Sequence, residues 1–292
     1  MKIFGIFGDP IEHSLSPAMQ NAAFKAMGDE ACYHAFRVRE MRLKDALLGA
    51  QAMGFAGLNL TVPLKEKALL IGVLQPDPLA RAIGAVNTVH FSARGILGYN
   101  TDGWGASLAL QESRISVRGR SVLIIGAGGA ARAIAYTLKQ EGAEILIANR
   151  SAQRAEELAA QIGARGYDLC QLKSLAARSD IIINCTSMGM KEGDPRLLQP
   201  EALHEGQAVF DIVYNRETEL LQDARAAGAV SLDGVMMLVH QGAKALQIWT
   251  GRKAPADVME RAVREALAAR RKQEAQSDER GGPGCYLKCF YL

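Results

Sequence analysis

The stretch SVLIIGAGGAARAIAYTLKQEGAEILIANRSAQR, residues 121–154, decides the fold. A short apolar run from Val122 to Ile125 meets a glycine turn, a helical pattern follows, and a second apolar run spans Ile145 to Ala148. Strand, turn, helix and strand within about thirty residues is the size of one βαβ unit. The glycines fall at the strand-to-helix turn, where a dinucleotide pyrophosphate rests on exposed backbone N–H groups and the positive end of the helix dipole. Gly126 permits the tight turn, Gly128 lets backbone approach a phosphate, and Ala131 fills the third small position of G-x-G-x-x-[GA]. The same turn occurs in plain α/β proteins that bind nothing. Here a strand precedes it and a helix follows, which favours a dinucleotide.

The end of the second strand bears on which dinucleotide. An Asp or Glu about 20 residues past the first glycine would hold a ribose 2′-hydroxyl and favour NAD. This chain has Asn149-Arg150-Ser151 there, with Arg154 one helical turn on, and Glu144 lies at the opposite end of the strand. Along this segment no carboxylate competes. Two guanidiniums and a hydroxyl suit a 2′-phosphate, since Arg presents a planar fork of donors. NADP is expected, against the alternative of a merely solvated helix start.

Outward from this unit, 292 residues suggest two domains. The chain is 49% hydrophobic and 22% charged, with a net charge of +3 carried by dispersed basic residues. That balance calls for neither nucleic acid nor an acidic membrane, and no apolar run approaches a transmembrane length. Lys2 to Phe7 reads at once as a strand, without the layout of a signal peptide. Cys32, Cys170 and Cys185 read as reduced core thiols. Cys285 and Cys289 alone would make a poor metal site, and no metal is expected. A cytoplasmic enzyme is the expectation.

The first hundred residues alternate strand and helix. Strands are expected at 2–7, 33–38 and 55–62 and helices at 17–27 and 43–53, with Ser16 as N-cap and Pro17 opening the first helix. Ala85 to Phe91 and Ile96 to Tyr99 read as a strand pair, and a helix from Thr101 to Gln111 leads into the glycine-turn unit. Further strands are expected at 180–184, 208–213 and 229–232. Their unbroken apolar runs suit parallel strands covered on both faces. Helices at 236–249 and 256–269 find no strands left to follow and should pack back on the first domain. The expectation is two α/β domains flanking a cleft. Residues 1–103 plus 235–270 would form a discontinuous substrate domain, and 104–234 a Rossmann-type doubly wound one. A charged, aperiodic tail, 271–292, is expected to be disordered.

Polar clusters sit at the predicted strand ends, where open α/β sheets bind ligands. Ser14 and Ser16 precede a helix; Asn59 and Thr61 lie two apart on a strand, so they face one side; Lys65 follows; Asn87 sits in GAVNT and Asp102 in NTDG. Each has an ordinary alternative: Ser16 as a cap, Lys65 as a surface lysine, Asn87 and Asp102 as turn formers. Taken together, the ordered motifs SLSP (14–17), NLTVPLK (59–65), GAVNT (84–88), NTDG (100–103), GAGGAAR (126–132), NRS (149–151), NCTSMGM (184–190) and GVMMLVHQGA (234–243) resemble the shikimate dehydrogenase family. The resemblance runs from residue 1 to about 268.

That resemblance implies reduction of 3-dehydroshikimate to shikimate with NADPH, on the route to aromatic amino acids. Ser14 and Ser16 would hold the substrate carboxylate, with help from Tyr214, and Asn59, Thr61, Asn87 and Gln241 would bond the ring hydroxyls. Lys65 and Asp102 would be the catalytic pair. Hydride delivered to a carbonyl carbon leaves an alkoxide that needs a proton, and a cationic lysine at that oxygen can stabilise and protonate it. On the cofactor side the resemblance implies Gly126, Ala127, Gly128, Gly129 and Ala130 at the pyrophosphate, and Asn149, Arg150, Ser151 and Arg154 at the 2′-phosphate. Thr186, Ser187, Met188, Ile212, Gly234 and Met237 would lie towards the nicotinamide, although Met236 and Met237 read equally well as core. Ser151 stands where many members carry threonine, and the last twenty or so residues have no counterpart. The alternatives are a quinate/shikimate dehydrogenase using NAD or NADP, a non-catalytic nucleotide-binding regulator, and a Rossmann enzyme of another class such as a methyltransferase. A homodimer is the expected assembly, though no stretch identifies an interface.

Overall fold

The computed structural model describes the backbone of residues 1–279 and the side chains of residues 1–273. The first sheet is built from β1 (Lys2–Gly8), β2 (Ala31–Arg37), β3 (Phe55–Leu60), β4 (Gln75–Pro76), β5 (Thr88–Ser92) and β6 (Gly95–Tyr99), in the order β2-β1-β3-β5-β6-β4. Between them run α1 (Ser16–Ala26), α2 (Leu43–Ala52), α3 (Leu64–Lys67) and α4 (Pro78–Ile83). β2, β1 and β3 are parallel, β5 runs antiparallel to both β3 and β6, and β6 pairs in parallel with β4. The antiparallel hairpin turns the chain so that Asn87 and Asp102 finish near the carboxyl end of β3. Helix α5 (Asp102–Glu112) then crosses to the second sheet.

That sheet comprises β7 (Ser121–Ile125), β8 (Glu144–Asn149), β9 (Arg165–Asp168), β10 (Ile181–Asn184), β11 (Ala208–Asp211) and β12 (Val230–Leu232), with α6 (Gly129–Gln140), α7 (Ala152–Ile162), α8 (Leu172–Ala176) and α9 (Glu219–Ala226) between them. Its strands are parallel throughout, in the order β9-β8-β7-β10-β11-β12, the doubly wound arrangement of dinucleotide-binding domains. Val122 to Ile125 are wholly buried because helices cover both faces of the sheet. Each such side chain contributes about 1.5–3 kcal/mol. The order reverses between β7 and β10, and a crevice opens there beyond the strand ends.

The chain ends with α10 (Val235–Thr250) and α11 (Ala256–Glu279). Phe4, Met19 and Phe24 share one core with Val239, Leu246, Trp249, Met259 and Val263, so both ends of the chain build the same body. The helix α11 runs on through Glu279, against the expectation of a disordered tail from 271: Arg, Lys, Gln, Glu and Ala in RRKQEAQSDE are good helix formers, and charge alone does not prevent a helix that is already nucleated. Residues 280–292, including Cys285 and Cys289, lie outside the described residues. The expectation of core thiols needs correcting at Cys170, which is exposed, in a turn where its backbone N–H donates to Asp168; Cys32 is half-buried, and Cys185 packs against the nucleotide-side core. Within the described residues no helix is long and apolar enough to cross a membrane.

Candidate active site

Lys65 is carried on the single turn of α3, just past the end of β3, and Asp102 opens α5. Lys65 Nζ donates to Asp102 Oδ2 at 2.7 Å, and the Asp102 side chain is 4% exposed. The other carboxylate oxygen accepts from Asn87 Nδ2 at 2.8 Å. Asn87 is itself fixed: its Oδ1 accepts from the Thr101 backbone N–H and the Thr88 hydroxyl, both at 2.9 Å. The Thr88 hydroxyl also accepts from Asn59 Nδ2 at 3.1 Å, and Asn59 Oδ1 accepts from the Tyr33 hydroxyl at 2.7 Å. A continuous buried chain therefore runs Tyr33–Asn59–Thr88–Asn87–Asp102–Lys65. Leaving any one of these buried polar groups unpaired would cost about 1–3 kcal/mol, so the network holds a single arrangement.

Tyr33 and Thr88 were not singled out in the sequence, where they read as strand residues. A buried tyrosine hydroxyl needs a partner, and that was the available signal. Burial pushes the Tyr33 phenol well above its usual range, with the Ser16 side chain beside it, so it acts as a donor. Ser16 is not the cap of α1. Leu15 takes that position without a side-chain bond, and Ser16 begins the helix proper, 4% exposed. Ser14 is held by the Ser16 backbone N–H at 3.3 Å. Tyr214, on the loop after β11, packs against the first domain's core, and burial raises its phenol as well, near the Leu15 backbone. The two serines and the two tyrosines thus gather at one end of the network. Thr61 sits half-exposed just beyond β3, and Gln241 reaches in from α10, its Oε1 3.4 Å from Asn87 Nδ2. His13 is an exposed loop residue.

Across the crevice lies the glycine turn. Gly126 has φ +114°, a left-handed conformation that a side chain would strain, and a Cβ there would press on the Cys185 carbonyl at 3.1 Å. Gly128 is the N-cap of α6, with no side-chain cap and no acidic residue in the first turn, so that helix end stays available to an anion. Ala127 is buried in the turn, and Gly129 and Ala130 are half-buried at its mouth. A Cβ on Gly129 would come within 2.9 Å of Lys65 Cβ, so the glycine turn lies directly against the Lys65–Asp102 pair.

At the end of β8, Asn149 Nδ2 donates to the Ser151 carbonyl at 3.1 Å, Ser151 caps α7, and Arg150 is exposed. Arg154 does meet a carboxylate, against the expectation that none competes. Its Nη2 lies 3.3 and 3.2 Å from the two oxygens of Glu66, which stands 88 residues away on α3. The carboxylate comes from the other sheet's side of the crevice and is no neighbour of Arg154 in sequence. The uncapped turn, the arginines and the exposed rim suit a dinucleotide phosphate.

The loop after β10 completes the crevice. Asn184, fully buried, accepts from the Thr186 hydroxyl at 2.7 Å and donates to the Met188 carbonyl at 3.1 Å and to Asp211 Oδ1 at 2.9 Å. Burial pushes the Asp211 carboxyl up to about 6, against bonds from Thr218, Val213 and Asn184 that favour its charged form. Ser187 is exposed at the loop's tip. Gly234 packs so tightly on Ile212 that a Cβ would lie 2.1 Å from its carbonyl oxygen. Met237 is 6% exposed within the nucleotide-side core, so packing already accounts for it. Among the described residues no group of His, Cys, Asp and Glu could hold a metal.

The chain matches the family description "Shikimate dehydrogenase substrate binding domain" over residues 6–89, "Shikimate / quinate 5-dehydrogenase" over 107–224 and "Shikimate 5'-dehydrogenase C-terminal domain" over 234–264. A curated relative from Methanothrix thermoacetophila, named shikimate dehydrogenase (NADP(+)), is 60% identical over 91% of this chain and 98% of its own. The crystal structure of shikimate dehydrogenase from Aquifex aeolicus aligns with a TM-score of 0.85 at 38% identity, covering 90% of this chain and 98% of that one. The Thermus thermophilus enzyme in complex with NADP(H) and shikimate aligns with a TM-score of 0.84 at 37% identity, covering 91% and 100%. The chain belongs to the shikimate dehydrogenase family.

Proposed function

We infer that this protein is an NADP-dependent oxidoreductase that interconverts 3-dehydroshikimate and shikimate, in aromatic amino-acid biosynthesis. The observation that carries the chemistry is the Lys65–Asp102 pair, 2.7 Å apart and facing the glycine turn. NADPH, when bound, supplies the hydride. Lys65 then stands at the substrate oxygen, where its ammonium stabilises the developing alkoxide and donates the proton from Nζ. Asp102 holds that ammonium in place, and Asn87 holds Asp102. Ser14, Ser16 and Tyr214 take the substrate carboxylate; Asn59, Thr61, Asn87 and Gln241 take the ring hydroxyls. On the cofactor side, the turn from Gly126 to Ala130 receives the pyrophosphate and Asn149, Arg150, Ser151 and Arg154 the 2′-phosphate. The loop Thr186–Met188, with Ile212, Gly234 and Met237, borders the nicotinamide.

The substrate body consists of residues 1–103 plus 235–270 and the nucleotide body of 104–234, a division supported by the core shared between the two chain ends. The enzyme works in the cytoplasm, in keeping with its free thiols, and as a homodimer, which light scattering would test. Shikimate oxidation followed by nicotinamide absorbance tests the function, run with NADP+ and NAD+ and with quinate in place of shikimate. Turnover restricted to shikimate with NADP+ is the expected result. Comparable rates with quinate or NAD+ would overturn the assigned specificity.

A further inference from the structure

The carboxylate of Glu66 lies where the cofactor's phosphates are expected. It comes from the residue after Lys65, yet its contacts are with the nucleotide domain. Both oxygens meet Arg154 Nη2 at 3.2–3.3 Å, and Oε2 lies 3.3 Å from Arg132 Nε. Oε1 is also the atom nearest to a Cβ built on Gly128, at 3.9 Å, which places the charge at the mouth of the glycine turn. Arg154 Nη2 donates to the Ala127 carbonyl of the same turn at 3.4 Å. These contacts are long for charge-assisted bonds, which settle near 2.7–2.9 Å. The angle at Arg132 is poor enough that its Nε, in a side chain only 12% exposed, has no hydrogen-bond partner. The site therefore holds an anion loosely and keeps a buried donor unsatisfied.

We propose that Glu66 is an internal anion that competes with the cofactor's 2′-phosphate for Arg154 and so sets affinity for NADP relative to NAD. The proposal rests on the reading of Arg154 as a 2′-phosphate ligand. A dinucleotide with a 2′-phosphate must displace the Glu66 carboxylate from Arg154 or bind beside it. A dinucleotide without one leaves the pair intact. Glu66 is thus a specificity residue, acting through Arg154 and touching no reacting atom.

The test is calorimetric binding of NADP+ and of NAD+ to the full-length wild type, Glu66→Gln, Arg154→Ala and the double variant. Glu66→Gln keeps the shape and removes the charge. It should tighten NADP+ by about twofold to fivefold, the range for a partly exposed ion pair, and NAD+ by clearly less, since NAD+ brings only the shared pyrophosphate near the carboxylate. In the Arg154→Ala background the same substitution should no longer change the NADP+/NAD+ ratio. An unchanged or weakened NADP+ affinity, or equal tightening of both dinucleotides, would overturn the proposal. Arg154→Ala in the Glu66 background is read separately. If it leaves the NADP+/NAD+ ratio as in wild type, the 2′-phosphate reading falls and this proposal with it. If it shifts the ratio while Glu66→Gln is silent, only the internal anion falls.

Discussion

Lys65 works within a constraint set by its neighbours. Its Nζ is held by Asp102, and Asp102 by Asn87, so in the proposed role the ammonium would meet the substrate oxygen from that one position. Lys65→Ala is accordingly expected to lower kcat by about two to four orders of magnitude. NADPH binding by fluorescence titration should hardly move, since Lys65 meets the glycine turn only through its aliphatic stem. Wild-type turnover would remove Lys65 from the chemistry. Tyr33→Phe probes the far end of the same network. It strips Asn59 Oδ1 of its donor, so stability should fall by about 1–3 kcal/mol in urea melts and KM for shikimate should rise several-fold, with kcat moving less. An unchanged KM would confine Tyr33 to packing. Lys65, Asn87 and Asp102 were legible in the sequence because they stand in recognisable motifs. Tyr33 and Thr88 were not, since their roles exist only once β2, β1, β3 and β5 lie side by side. Glu66 stood in plain view beside Lys65, but its partners lie in the other domain.

At the scale of elements, the end of β11 and the loop after β10 are tied through one buried carboxylate. Asp211 accepts from Asn184 Nδ2 at 2.9 Å and from the Thr218 hydroxyl at 2.7 Å, and Asn184 in turn shapes the Thr186–Met188 turn. Its native pKa of about 6 stands above the ordinary 3.8, so between roughly pH 4 and 6 the folded protein binds a proton that the unfolded chain has lost. Stability from this group is therefore present at low pH and lost as pH rises through that window, by about 3 kcal/mol in all. Asp211→Asn should erase this dependence. Its stability relative to wild type, from urea melts at pH 4, 5 and 7, should grow as the pH rises; a constant difference would mean that Asp211 does not titrate there. The parallel strands themselves were readable from their apolar runs. The two-residue β4 and the short β9 were not, because Gln75-Pro76 and Arg165–Asp168 carry no periodic pattern and gain their form from neighbours. At α11 the error ran the other way, since charge hid the helix propensity of residues 271–279.

The whole molecule depends on its C-terminal helices returning to its first strands, and one contact isolates that dependence. Trp249 of α10 lies over β3, its Nε1 donating to the Val89 carbonyl at 2.9 Å, and its ring packs tilted against Phe4 and Tyr33. A Cβ on Gly57 would fall 2.3 Å from that Nε1, a distance no real pair adopts. Gly57 has no left-handed backbone to protect, so Gly57→Ala tests packing alone. Overpacking of this kind costs about 1–3 kcal/mol, and here the indole would also have to give up its bond to Val89. Trp249→Leu removes the obstructing ring at a cost of its own, because it opens a cavity beside Phe4. Were α10 a separate appendage, the two losses would simply add. If β3 and α10 form one body, the double variant should be markedly more stable than the sum of the singles predicts, by about 1 kcal/mol or more in thermal or urea melts. Strict additivity would detach the last helices from the substrate body, and with them Gln241 from the network around Asn87.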